Sequence, residues 1–492
     1  MSNNCSIKSQ QELIMINDKT YHCPLETRYA SQEMSYLFSD HFKYVTWRKL
    51  WVALAKAEKS LGLPIETSQI TALEAAIEAI DYSRVSELEK KFRHDVMAHI
   101  SAFAEAAPQA KGIIHLGATS AFVTDNTDLI QMRAGLKILK SKLVVLIRFL
   151  KSFAESHAAL ATLSYTHFQS AQPTTYGKRA CLWLQDFLFD LEDLNTREMQ
   201  LQFLGAKGAT GTQASFLSLF EGDHEKVKKL ETLVAAAFGF DQIIPISGQT
   251  YTCKQDIRIL SLLSGLAASA HKYATDLRLL SHLQELEEPF GSEQVGSSAM
   301  PHKRNPMRSE RICSISRYLI SLSENPSYTL ATQWLERSLD DSANRRLCIP
   351  EAFLSADALL NLLIDVTGGM KLYPKVIAKN LEKELPFLLL ETILISAVKK
   401  GKDRQRVHEI LRNHSLESLQ KIKEEGASND LLQRIEKDSS IGLSKSEIQL
   451  LLKEENYIGR SKEQVAEFIS GYVDPLLKKF QHLEPEIQKI TL

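Results

Sequence analysis

The sequence predicts an all-α protein, built as three helical domains with a central bundle of long helices. Three observations carry that expectation. Only 21 glycines and 14 prolines punctuate the 492 residues, and they gather in a few places, leaving long stretches unbroken. Within those stretches apolar residues recur every three or four positions, which is the spacing of one helix face. Strand signals are scarce, and QIIPI at 242–246 is the one short candidate.

The N-terminal helical domain is expected over residues 1–119, where Trp47, Leu50, Leu54 and Ala57 share a face. It ends in the loop KGIIHLGATSAFVTDN, broken at Gly112 and Gly117. The central domain follows over 120–372. Its first long helix is predicted from about Thr124 to Leu163, through Leu129, Met132, Leu136, Ile138 and Leu139 and then Val144 to Leu150. Pro173 is expected to start the next helix, just after a polar segment around His167. GAKGATGTQAS at 205–215 reads as a flexible loop; its glycines fit neither GxxxxGK[ST] nor a GxGxxG after a strand. A second long helix is expected between Thr250 and Glu288, with Ile259, Leu262, Leu263 and Leu266 at helical spacing and a single glycine, Gly265. From Met307 to Thr367 there is no glycine, and Pro326 and Pro350 mark the expected interruptions. Helices this long exceed the globular average by several turns, which points to an elongated bundle. The C-terminal helical domain, 373–492, is dense in Lys and Glu, with short helices around 376–400, 405–425 and 462–480.

Charge and cysteine content narrow the class. The 59 basic and 60 acidic residues leave a net charge of −1, so no global field draws nucleic acid or an anionic membrane. Six scattered cysteines form no ligand pattern, no run approaches the roughly 20 apolar residues of a membrane span, and MSNNCSIKSQQELIMINDK lacks the features of a signal peptide. A cytoplasmic protein is expected. No HExxH, GxSxG or EF-hand pattern is present, so neither a metal nor a cofactor is expected.

The stretch GSEQVGSSAMPHKRNPMRSER, residues 291–311, is the strongest chemical signal. Gly291 and Gly296 give a soft hinge, Pro301 and Pro306 a stiff base, and Lys303, Arg304, Arg308 and Arg311 concentrate positive charge. Such a segment reads either as a lid that carries a hydroxyl to an anionic substrate or as a basic surface loop. Three further clusters bear on that choice. His167 lies among Thr166, Gln169, Gln172, Thr174 and Thr175, which can orient an imidazole for acid catalysis. Arg93, His94 and Asp95 are consecutive, either a solvated helix end or an anion site in which Asp95 fixes the tautomer of His94. ERSLDDSANRR at 336–346 holds Arg337, Arg345 and Arg346, suited to planar anion recognition or to an ion-pair network.

GSSAMPHKRNP at 296–306 resembles the signature loop of the fumarase/aspartase superfamily, roughly GSSxMPxKxNP. RYAS at 28–31, FRHDVMAH at 92–99, HLGATS at 115–120, SYTHFQ at 164–169, GQTY at 248–251 and LDDSANRR at 339–346 resemble the adenylosuccinate lyases within it, most closely their animal-type branch. The resemblance runs from about residue 24 through the bundle and weakens in the C-terminal domain. It implies β-elimination of fumarate from two purine-nucleotide substrates, adenylosuccinate and the succinylcarboxamide ribotide of purine synthesis. It also implies a homotetramer whose helices form a multi-subunit core and whose sites are each built from three subunits. By the same resemblance Ser297 would be the general base and His167 the general acid, with Lys303 and Asn305 beside the succinyl carboxylates. Arg28, Tyr29, Arg93, His94, Asp95, Thr119, Ser120, Gln249, Arg311, Arg337, Ser342 and Arg346 would bind phosphate, base and succinyl groups.

The chemistry is consistent with those residue types. Elimination passes through a carbanion whose charge spreads into the adjacent carboxylate, and Lys303 with amides at the start of the helix after Pro306 would stabilise it. Serine serves as a base only where closure excludes water and donors lower its pKa. Argininosuccinate lyase and fumarase would share the loop, though not the phosphate-binding arginines. A catalytically silent helical protein on the same scaffold is the alternative from another class.

Overall fold

A computed structural model describes residues 20–291, 293–453 and 456–483. The expectations placed on residues 1–19, including Cys5, and on Ser292 of the loop lie outside the described residues.

The chain is almost wholly helical. The N-terminal part contributes α1 (Gln32–Leu37), α2 (Asp40–Ser60), α3 (Thr67–Ala75), α4 (Tyr82–Phe92) and α5 (Asp95–Ala106). The side chains of Ser31 and Ser39 accept amide hydrogen bonds from Met34 and Phe42 and so start α1 and α2. Trp47, Leu50, Leu54 and Ala57 of α2 are buried, as their spacing predicts.

Three long helices make the bundle: α6 (Ser120–Ser156), α10 (Lys254–His282) and α13 (Asp340–Gly369), joined by α7 (Tyr176–Gln200) and α11 (Met307–Leu322). Between these run α8 (Ala214–Leu219), α9 (His224–Ala237) and α12 (Asn325–Thr332). Leu129, Met132, Leu136, Leu139 and Val144 of α6, and Ile259, Leu263 and Leu266 of α10, are buried in one large core. Lys142 of α6 pairs with Asp357 of α13 inside it, and the Ser31 amide donates to the same carboxylate at 2.6 Å. Over an 18-residue window α13 is apolar enough to match a membrane span in length and composition. Some 78% of that window is buried against its neighbours, which makes α13 the bundle's core helix.

The C-terminal part holds α14 (Pro374–Leu388), α15 (Leu390–Lys399), α16 (Arg404–Glu425), α17 (Leu431–Lys437), α18 (Lys445–Leu451), α19 (Ser461–Phe468) and α20 (Asp474–Lys479). Leu381, Leu389, Ile393, Val407, Leu411, Ile435 and Ile448 form a second core. Val465, Ile469, Val473, Leu476 and Phe480 instead return to the large one.

Four expectations are corrected. Residues 161–175 form an antiparallel hairpin, β1 (Ala161–Thr166) and β2 (Gln169–Thr175), and the helix begins at Tyr176 rather than at Pro173. Pro173 falls at the break in register between Thr162 and Ser164, where the ladder needs no amide from it. Pro350 lies inside α13, where burial of Ile349, Ala352 and Phe353 outweighs the roughly 3 kcal/mol that an interior proline costs. QIIPI contributes one bridge, Phe203 to Ile243, and no strand. The segment 205–215 is packed rather than flexible. Lys207 is buried and pairs with Glu231 at 2.8 Å, and a Cβ on Gly211 would stand 1.9 Å from the Ser247 carbonyl. A last pair of short strands, β3 (Leu286–Glu287) and β4 (Lys371–Leu372), ties the end of α10 to the end of α13.

Candidate active site

Most of the residues singled out in the sequence gather in two clusters at opposite ends of α10. At the start of α10, Arg337 donates to the Gln249 side chain at 2.9 Å, while Gln249 donates its amide to the Glu336 carbonyl at 3.1 Å. Two residues on, the Tyr251 amide donates to Asp125 of α6 at 3.1 Å, which brings the α6 N-terminus, with Thr119 and Ser120, to this end. Ser342 stands in the first turn of α13, and Arg346 one turn later donates to Asp95 at 3.0 Å.

Neighbouring arginines here have different fates. Arg345 is buried and bonded to Asp256 at 3.0 Å, Asp128 at 2.9 Å and the Tyr251 hydroxyl, with Asp125 and Asp341 at 3.8 and 3.6 Å. Burial pushes the Asp125 carboxyl up, to about 6, against the pull of Arg345. Arg346 points the other way and is more than half exposed. Arg345 is therefore the centre of a structural ion network, while Arg346 is open to a ligand.

The triplet at 93–95 makes the junction of α4 and α5. Arg93 ends α4 in the left-handed conformation, φ 52°, and His94 caps α5, its Nδ1 accepting from the Met97 amide at 3.4 Å. Asp95 stands 3.6 Å from that nitrogen, too far for a hydrogen bond, so the expectation that Asp95 fixes the His94 tautomer is corrected. An accepting Nδ1 leaves the proton on Nε2.

At the other end of α10 lies the loop. Glu288 accepts amides from Arg308 at 3.0 Å and Ser309 at 2.6 Å, and so caps α11. Those amides are occupied, which corrects the expectation that they face a substrate. Arg304 pairs with Glu287 at 2.8 Å, the Arg308 guanidinium bonds the Pro289 carbonyl, and Arg311 is half-buried in the second turn of α11. The Asn305 side chain donates to the Gly296 carbonyl at 3.0 Å, and a Cβ on Gly296 would stand 2.2 Å from the Lys303 carbonyl, so this close crossing needs glycine. The Ser297 Oγ accepts from the amides of Ala299 at 3.3 Å and Met300 at 3.2 Å. Beside the loop is a cavity of about 480 Å³ lined by Phe290, His302, Lys303, Asn305 and Tyr373.

His167 and Phe168 form the two-residue turn of the hairpin, with φ 52° and 58°. Both values match a type I′ turn, which favours Asn-Gly; here two side chains take a conformation that costs each about 1 kcal/mol. The hairpin is anchored at its base, where Ala161 and Leu163 join the C-terminal core and Gln172 bonds Glu391. His167 at the tip is exposed. Arg28 and Tyr29 belong to neither cluster: the Tyr29 carbonyl accepts from Asn361 at 3.3 Å, far along α13.

Residues 21–320 match the lyase family, and residues 386–468 match the adenylosuccinate lyase C-terminus. The adenylosuccinate lyase of Saccharomyces cerevisiae is 47% identical over 96% of this chain and 99% of its own. That of Schizosaccharomyces pombe is 48% identical over 96% and 98%. This chain belongs to the adenylosuccinate lyase family. Among solved structures, 3-carboxy-cis,cis-muconate lactonizing enzyme from Pseudomonas putida superposes with a TM-score of 0.79 at 22% identity, covering 93% of this chain and 99% of its own. Fumarate lyase from Mesorhizobium sp. BNC1 gives 0.78 at 20% identity, covering 92% and 100%. These two establish a shared all-helical fold.

Two features of this adenylosuccinate lyase family member escape sequence reading. Glu288 is one of several acids after a long helix, and only its distance to α11 marks it. Lys43 lies in KYVTW, where Trp47 follows the lysine by four positions, a helical spacing that sets its ammonium over the Trp47 ring.

Proposed function

We propose that this chain is an adenylosuccinate lyase, eliminating fumarate from adenylosuccinate to leave AMP and from the succinylcarboxamide ribotide to leave the carboxamide ribotide. The observation that carries this reading is the 47–48% identity to adenylosuccinate lyases over nearly the full length of both partners. Ser297 is the general base. The amides that already converge on its Oγ are the donors that would stabilise an alkoxide, supplying what a serine base lacks in water. Lys303 and Asn305 hold the succinyl carboxylates and the charge that develops on them. His167, on its strained turn, protonates the departing nitrogen; strain kept at an exposed tip is consistent with a role there. Arg28, Tyr29, Arg93, His94, Asp95, Thr119, Ser120, Gln249, Arg311, Arg337, Ser342 and Arg346 bind the rest of the nucleotide.

The working form is a cytoplasmic homotetramer with sites shared between subunits. α10 has 29 residues and is about 43 Å long at 1.5 Å per residue, so Gln249 and Ser297 of one chain stand at opposite ends of a rod. A second copy running antiparallel brings one chain's loop to another's arginine cluster.

Purified protein given adenylosuccinate should show the loss of ultraviolet difference absorbance that accompanies AMP and fumarate formation. No change with adenylosuccinate would reject the reading.

A further inference from the structure

Lys43 stands in the first turn of α2, and its ammonium lies over the rings of Tyr44 and Trp47, 5.2 and 5.4 Å from their centroids. Two carboxylates are near enough to act on it, Asp95 and Asp128, with Asp40 behind it on the same helix. Both are already engaged, Asp95 with Arg346 at 3.0 Å and Asp128 with Arg345 at 2.9 Å. Among the described residues the Lys43 ammonium has no ion pair or hydrogen bond, and it rests on the two aromatic faces. Its largest local opponent is another cation: after burial, Arg346 is what most depresses its proton affinity. A half-buried ammonium next to an exposed guanidinium is an arrangement that folding alone disfavours. An incoming dianion relieves it.

We propose that Lys43 is a further substrate-binding residue, which with Arg346 receives the phosphate monoester of the nucleotide. This rests on the proposed function for the identity of the nucleotide; the anion site rests on Lys43 over its two rings and on Tyr44, whose ring lies 3.9 Å from that of His99 of α5, one turn from the Asp95 that holds Arg346. Phosphate fits better than carboxylate. Two cations of different shape, one planar fork and one point charge, match a doubly charged tetrahedral group, while Lys303 and Asn305 are assigned to the carboxylates. The aromatic platform holds the ammonium in place without neutralising it, and the nearby carboxylates Asp95 and Asp128 are committed to Arg346 and Arg345, which leaves the ammonium available to a ligand.

The test uses the full chain, with inorganic phosphate and fumarate as separate probes in titration calorimetry, beside steady-state kinetics on adenylosuccinate. Lys43→Gln should weaken phosphate binding about tenfold, or about 1.4 kcal/mol. It should leave fumarate binding in place and put its loss on KM rather than kcat. Lys43→Arg should recover most of the phosphate affinity. The proposal is overturned if phosphate does not bind the wild type, if Lys43→Gln binds phosphate as the wild type does, or if fumarate affinity falls in place of phosphate affinity. It is equally overturned if both variants lose the native oligomer, which would make Lys43 the counter-ion of a neighbouring subunit. Calorimetry needs no turnover, so a chain inactive on adenylosuccinate would reject the proposed function while phosphate binding still judged Lys43.

Discussion

Arg346 of α13 and Asp95 of α5 meet at 3.0 Å across 251 positions of sequence, and this contact joins the N-terminal helices to the head of the bundle. The pair is partly solvated, so its worth to stability is small, about 0–1 kcal/mol. Its value is in aim: Asp95 holds a planar donor fork in a fixed direction. Arg346→Lys should therefore raise KM for adenylosuccinate about tenfold while the melting temperature stays within a degree or two. A large loss of stability with unchanged KM would show the pair to be structural.

In the proposed mechanism the turn at His167 and Phe168 sets function against stability. His167→Ala and Ser297→Ala should each lower kcat by roughly 100- to 10,000-fold while substrate still binds. Replacing both turn residues with Asn-Gly should raise thermal stability by about 1 kcal/mol and abolish turnover. Wild-type turnover in any of these variants would remove His167 or Ser297 from the mechanism.

Gly296→Ala tests the crossing at the base of the loop. The added Cβ meets the Lys303 carbonyl at 2.2 Å, so Ser297, Lys303 and Asn305 are displaced together. Activity should fall at least 100-fold, with unfolding by urea unchanged because the loop contributes little to the core. A variant that keeps full activity would mean that the loop closes by a different path.

The network around Arg345 predicts the opposite balance. Arg345→Met leaves Asp125, Asp128, Asp256 and Asp341 without their shared cation, and should cost about 3–5 kcal/mol in urea unfolding. Adding Asp256→Asn to Arg345→Met should return part of that loss by removing one buried charge. If the double variant is less stable than the single, the acids are not the source of the cost.

Glu58 gives a pH dependence of known sign. It is fully buried, neither carboxylate oxygen has a hydrogen-bond partner among the described residues, and burial raises its pKa from 4.5 to about 8. Between those values the unfolded chain has lost a proton that the folded chain keeps, so this residue's contribution to stability falls as pH rises from about 4.5 to 8. Glu58→Gln should gain on the wild type across that window, with a larger difference in melting temperature at pH 9 than at pH 5. An equal difference at both pH values would place the carboxyl in contact with a partner or with water.

The sequence by itself determined the helices, because the apolar period that buries one face is a local property read within a few turns. Trp47, Leu136 and Leu263 are buried where that period places them. It also marked the loop at 291–311, since glycine, proline and basic residues act on a backbone over short distances. Only the tertiary structure decided the rest. Pro350 continues a helix because neighbouring helices bury the turns around it, and Pro173 lies in a hairpin because a partner strand breaks register there. Arg345 and Arg346 are alike in sequence, but they stand 100° apart around α13, so one faces four aspartates inside and the other faces Asp95 and solvent. Glu288 takes the amides of α11 for the same kind of reason. Which charge meets which depends on how the helices are laid side by side, and no spacing along the chain encodes that.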